Sequence, residues 1–93
     1  MSGSALVLQP VLEPQYAPLL REELIARRGE DLVIDGSLVA RPGTLCLQVL
    51  ASAAASWAAD AKIFEIMPAS DTLREAAAVL GFTQAQLPFG THP

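Results

Sequence analysis

The reading of this chain turns on residues 31–57, DLVIDGSLVARPGTLCLQVLASAAASW. Leu32-Val33-Ile34 is a short apolar run between Asp31 and Asp35, followed by Gly36-Ser37. Its length and β-branched content predict a buried strand. A loop then closes in Arg41-Pro42-Gly43-Thr44. After it comes a long run without Pro or Gly, rich in Ala and Leu. Cys46, Val49, Leu50, Ala53 and Trp57 recur in it at helical spacing and share one face. Strand, turn and helix form the central unit. The turn lies where a helix presents its free N–H groups, a common position for chemistry or partner contacts in α/β domains.

On the N-terminal side, residues 1–4 read as a frayed leader and Ala5 to Leu8 as a first strand. Val11-Leu12 follows Pro10 and reads as an edge segment, because Pro cannot donate to a ladder. Pro18 suits a first helical turn, and Leu20, Leu24 and Ala17 then line one side of a helix reaching about Arg28. Glu22, Glu23 and Arg27 face water, and Gly29 is the stop. On the C-terminal side, Lys62 to Met67 alternates, with Phe64 and Ile66 opposite Ile63 and Glu65, as a strand with one buried face does. Pro68 is expected to end it. Ser70, Asp71 and Thr72 are N-cap candidates, and Thr72 with Glu75 fits a capping box. Leu73, Ala76, Ala77 and Leu80 make a helical stripe closed by Gly81. Residues 83–93 read as loose or as a short added turn.

Helices between strands imply crossovers, hence mostly parallel pairing with right-handed connections. The expected class is α/β: a small, mostly parallel or mixed sheet of about four strands packed with three to four helices. A single domain is expected over residues 5–82, with 1–4 and 83–93 flexible or loosely packed.

The strand ending in Asp35, the loop, the small turn closing in Gly43 and the apolar helix together resemble the STAS domain, the fold of the anti-sigma factor antagonists. A second resemblance lies in Pro68-Ala69-Ser70, a short amphipathic helix and Leu80-Gly81-Phe82. The resemblance spans roughly Ala5 to Phe82. The family's turn commonly reads Asp-Ser-Ser-Gly or Asp-Ser-Thr-Gly, with a Ser or Thr phosphorylated by a partner kinase. Here those positions are Ala40, Arg41, Pro42 and Gly43, and Gly alone is retained. The resemblance therefore implies the family's fold without its usual switch. The segment from Gly43 to Leu50 is similar to small stand-alone STAS proteins found beside bacterial chemotaxis kinases. It implies a non-enzymatic regulator that binds a chemotaxis-type histidine kinase or another signalling kinase. The alternatives it implies are a subunit of a lipid-transport ATPase complex, and an anti-sigma factor antagonist switched by phosphorylation at Thr44 or Ser37.

Composition narrows the classes. The 93 residues suffice for one modest core, and 52% apolar against 17% charged is a globular balance. Net charge is −4 and the cations are scattered, which argues against nucleic acid as a partner. One Cys permits neither an internal disulfide nor a cysteine-based zinc site, and on its apolar face it reads as a small core residue. A leader with a basic start and a sustained apolar run is not seen, and the Ala-rich run is broken by Ser52, Ser56, Trp57 and Asp60. A cytoplasmic protein without direct membrane insertion is expected.

The expected contact surface is the 36–44 loop, the exposed side of the 44–58 helix and the start of the 70–80 helix, and the candidate contact residues are Ser37, Arg41, Pro42, Gly43, Thr44, Leu45 and Leu47. Thr44 can cap or begin the central helix, or accept phosphate where the helix dipole favours it; Ser37 carries the same two readings. Arg41, a cation near a helix N-terminus, either points into solvent or engages an acidic partner. Pro42 stiffens the turn. Leu45 and Leu47 lie off the apolar stripe, so one of them is expected to be exposed. Asp35 has no His, Ser or second acid placed to work with it, and His92 reads as a solvated tail residue. Trp57 reads as core or a helix–helix contact, and otherwise as an interface anchor, and Asp60, Lys62, Asp71 and Arg74 read as solvated surface. No phosphate loop, metal cluster or nucleophile–base pair is legible, so no cofactor is expected and the reading is non-enzymatic.

Overall fold

A computed structural model describes residues 5–90. Three strands and three helices alternate: β1 (Ala5–Val7), α1 (Tyr16–Ala26), β2 (Leu32–Gly36), α2 (Thr44–Ala59), β3 (Phe64–Ala69) and α3 (Asp71–Val79). The sheet order is β1-β2-β3 and both pairings are parallel. The α/β class and the parallel crossovers thus hold. The sheet has three strands rather than about four. Val11 makes a single isolated bridge to Arg41 instead of an edge strand. Pro10 has no N–H, and its carbonyl is taken by the amides of Ala40 and Arg41, so this segment pairs with the loop and not with the sheet.

Strand alternation divides the sheet into two faces. Leu6, Leu32, Ile34, Phe64 and Ile66 are buried, and Val7, Val33 and Asp35 are not. Leu73 of α3 lies 2.8 Å from where a Cβ on Gly36 would stand, beside Ile66 and Leu8. That glycine lets α3 lie close against the strand. Trp57 of α2 and Phe64 of β3 pack with ring centroids 5.4 Å apart, a tilted pair. Trp57 is also satisfied as a polar group, its Nε1–H donating to the Glu30 carbonyl at 2.7 Å.

Helix boundaries follow local chemistry. α1 begins two residues before Pro18, whose missing N–H falls in the first turn, and Gly29 at φ 95° ends the turn after it. Leu20 and Leu24 are buried with Tyr16 and Ala17. The buried stripe of α2 is Cys46, Leu47, Leu50, Ala53, Ala54 and Trp57. It is rotated toward Leu47 and Ala54, which leaves Val49 at its margin. α3 is capped by Ser70, not Thr72. Ser70 has extended backbone, so its Oγ accepts from Leu73 N at 3.1 Å, whereas Thr72 already lies within the helix. Leu80 leaves the stripe as the C-cap residue and is exposed.

β3 does not stop at Pro68 but continues to Ala69. Ile34 pairs with Ile66 and Gly36 with Ala69, so β3 carries one extra residue in that interval. A bulged residue is left unpaired, so a proline is tolerated there.

Residues 83–90 are packed rather than loose, and they include the short turn expected as the alternative, in which Gln86 N and Leu87 N donate to Thr83 O. Leu87 is fully buried and Phe89 nearly so. Ile66 N donates to Pro88 O and Gly90 N to Ile66 O, so residues 88–90 cover the outer edge of β3. Arg74, expected to be solvated, donates from Nη2 to Gly90 O at 3.0 Å and stacks 5.3 Å from the Phe89 ring centroid. Apolar side chains at 87 and 89 supply the burial that composition alone obscured. The expectation for residues 1–4, and that for His92, fall outside the described residues.

Candidate partner-binding site

The loop from Gly36 to Thr44 is built by hydrogen bonds from both ends. At its start the Asp35 Oδ1 accepts from Ser37 N at 2.9 Å and from Ser37 Oγ at 2.7 Å. This is an Asx turn, which substitutes side chain for backbone in reversing the chain. The Ser37 hydroxyl, and after it the Ser37 amide, holds the Asp35 carboxyl below its ordinary pKa. Ser37 is exposed, but its hydroxyl is engaged with a carboxylate.

In the middle of the loop Val39 is buried, and its carbonyl accepts from Ser70 Oγ at 2.7 Å. Ser70 thereby joins the loop to the start of α3 while capping that helix. Ala40 N and Arg41 N both donate to Pro10 O, and Leu12 N donates to Arg41 O at 2.8 Å. The Arg41 backbone is therefore fixed on both sides. Its side chain is exposed and makes no ion pair among the described residues.

At the loop's end, Pro42 and Gly43 are half-buried. Gly43 is the N-cap of α2 with extended backbone and no side-chain cap bond. A Cβ there would collide with the Leu12 carbonyl oxygen. The glycine is required by this close approach and not by an unusual φ. Thr44 opens α2 and is exposed, so it begins the helix rather than capping it. The first turn of α2 contains no acidic residue, and the free amides there are not offset by a carboxylate.

Six of the seven candidate residues lie on this loop and the first turn of α2: Ser37, Arg41, Pro42, Gly43, Thr44 and Leu45. Leu45 is 51% exposed. Leu47 does not belong with them, since its exposure is 0%. The rotated stripe of α2 turns Leu47 inward and Leu45 outward, which settles which of the two is presented. Cys46 is buried, donates weakly from Sγ to Glu13 O at 3.5 Å, and has its thiol pKa raised by burial. It acts as a packed core group beside the first turn.

Sequence reading included the exposed side of the central helix in the contact surface but missed the groove that it forms with α1. α1 and α2 diverge on their outer side around a groove lined by Arg21, Ile25 and Arg28 on one wall and Leu45, Gln48 and Ser52 on the other. The spacing of Gln48, Ser52 and Ser56, one helical turn apart on an otherwise apolar helix, is the signal that marks this side as uncovered. Arg28 Nε bonds Asp60 Oδ2 at 3.1 Å at one end of it. No helix among the described residues is long and apolar enough to cross a membrane.

No family model matches the chain, and comparison with curated proteins and with solved structures likewise returned no match.

Proposed function

We propose that this chain is a STAS-like, non-enzymatic binding protein of bacterial signal transduction, a constitutive regulatory partner of a chemotaxis-type histidine kinase in the cytoplasm. The observation that carries the reading is the presentation of Arg41. Its backbone is held by Pro10 and Leu12 while its side chain is exposed, and the exposed residues Thr44 and Leu45 follow it in the chain at the start of α2. A rigid loop that offers one cation, one hydroxyl and one apolar group loses little conformational entropy when a partner docks. The fold-level part of the proposal rests on the sequence resemblance and on an α/β arrangement compatible with it.

A second reading is favoured by one specific feature. Thr44 is an exposed hydroxyl at the uncapped, acid-free N-terminus of α2, where an added phosphate would be electrostatically welcome. Ser37 is a poorer acceptor, because a phosphate on it would face the Asp35 carboxylate that now binds its hydroxyl. Under this reading the chain is an antagonist switched at Thr44. A role as subunit of a lipid-transport ATPase complex keeps the same surface with a different partner.

Affinity capture from the native cytoplasm with the wild-type chain and with Arg41→Ala separates these readings. The proposal expects a histidine kinase in stoichiometric amount on the wild-type chain and a clear loss on Arg41→Ala, with the fold unchanged by circular dichroism. Equal capture by both chains removes the loop from the interface. An ATPase in place of the kinase selects the transport complex.

A further inference from the structure

The groove between α1 and α2 is space that the fold itself does not fill. Its volume is about 520 Å³. Ser52 and Ala53, both small, line it on the α2 side, so the ridge there is low. Ile25 and Leu45 stand on opposite walls and toward opposite ends of the groove, each 51% exposed. The charged residues of the lining are Arg21 and Arg28, both cationic, on a chain whose net charge is −4. Arg28 is engaged by Asp60, and Arg21 has no ion pair among the described residues. The local charge is thus opposite to that of the chain as a whole.

We propose that this groove receives an acidic amphipathic helix from a protein partner, with its apolar stripe between Ile25 and Leu45 and its carboxylates toward Arg21. The inference deepens, and rests on, the reading of the chain as a protein-binding regulator. Helix-shaped walls favour a helical occupant, because ridges of a third helix seat in the trough between two others. The 11 residues of α1 span roughly 16 Å, about three turns, which matches anchors at i, i+3, i+4 and i+7. A second copy of the chain is a weaker fit. Its α3 exposes Asp71, Thr72, Arg74 and Glu75, a mixed-charge surface, and has large exposed apolar groups only at its end.

The test uses the full chain and two stapled helical peptides with identical Leu stripes, one flanked by Glu and the other by Lys. Binding is read by amide shifts for every chain and, for chains that keep Trp57 as the single tryptophan, also by its emission, since Trp57 lines the groove. The Glu peptide is expected to bind about tenfold more tightly than the Lys peptide, the effect of one or two partly exposed charge pairs. Its shifts should centre on Arg21 and Leu45. Arg21→Glu should invert the preference, and Ser52→Trp, a change at an exposed position, should abolish binding of both. Equal or reversed preference in the wild-type chain, no binding of either peptide, or shifts centred elsewhere would overturn the proposal. So would sedimentation showing that the wild-type chain self-associates and Ser52→Trp does not, since the occupant would then be a second copy. Failure here is distinguishable from failure of the broader reading. A captured kinase that stays bound to Ser52→Trp removes the groove and keeps the regulator, whereas a wild-type chain that captures no partner removes the regulator.

Discussion

The carbonyl oxygen of Leu12 occupies the space into which a side chain on Gly43 would have to grow. This contact ties the segment after β1 to the turn that starts α2. It adds to the bonds of Pro10 and Leu12 with residues 40 and 41. The loop that presents Arg41 is therefore a product of long-range packing and not of its own residues alone.

Gly43→Ala should accordingly destabilise the protein although its φ is ordinary for any residue. A backbone oxygen cannot swing aside as a flexible side chain can, so the loss should reach about 2 kcal/mol or more, within the range of overpacking. Urea denaturation checks it, with a midpoint shift at unchanged slope as the expected outcome.

Leu45 and Leu47 are two residues apart and should behave oppositely. Leu47→Ala empties a fully buried site and should cost about 2–5 kcal/mol of stability. Leu45→Ala should stay within about 0.5 kcal/mol, as surface changes usually do, while weakening partner capture. Parallel denaturation curves and capture assays on the two variants test the pair.

The Asx turn at Asp35 gives a pH dependence with a definite sign. Folding lowers the Asp35 pKa, so its contribution is complete above the ordinary carboxylate value. It is lost as pH falls through the lower folded value, when the protonated acid no longer accepts from Ser37 with full charge. Ser37→Ala should lower stability at neutral pH, leave it little changed at pH low enough to protonate the acid in both states, and so flatten part of the acid limb. Carboxyl carbon shifts of Asp35 followed through a titration report the same displacement directly.

The segment after α3 should matter for stability. Leu87→Ala is expected to lower stability by about 2–4 kcal/mol, because Leu87 is fully buried. A loose tail would give no change in thermal midpoint.

Much of the fold was legible because period and punctuation agree in it. Leu32 to Ile34, the Ala-rich helix with Cys46, Leu50 and Trp57, and the alternation of Phe64 and Ile66 each announce their element. What escaped depends on contacts distant in sequence. Val11 was drawn to Arg41, not into a ladder, and Pro68 was admitted by a bulge. Leu87 and Phe89 were hidden among Pro, Gly and Gln, yet they complete the core against β3. The candidate loop was legible in its residues but not in its bonds. The Asx turn of Asp35 and Ser37 is a local pattern, but no local rule states that Ser70 holds Val39 or that Leu12 excludes a side chain from Gly43. Leu47 was misplaced because a stripe drawn through Val49 is turned away from the one that packing selects.

The most direct test of the central claim is the intact mass of the native complex. The chain would be recovered with its partner under non-denaturing conditions, and its own mass measured for phosphate. A histidine kinase in fixed stoichiometry with an unmodified chain is the predicted result. Phosphate on Thr44, with a serine kinase in the complex, would contradict it and make the chain a phosphorylation switch.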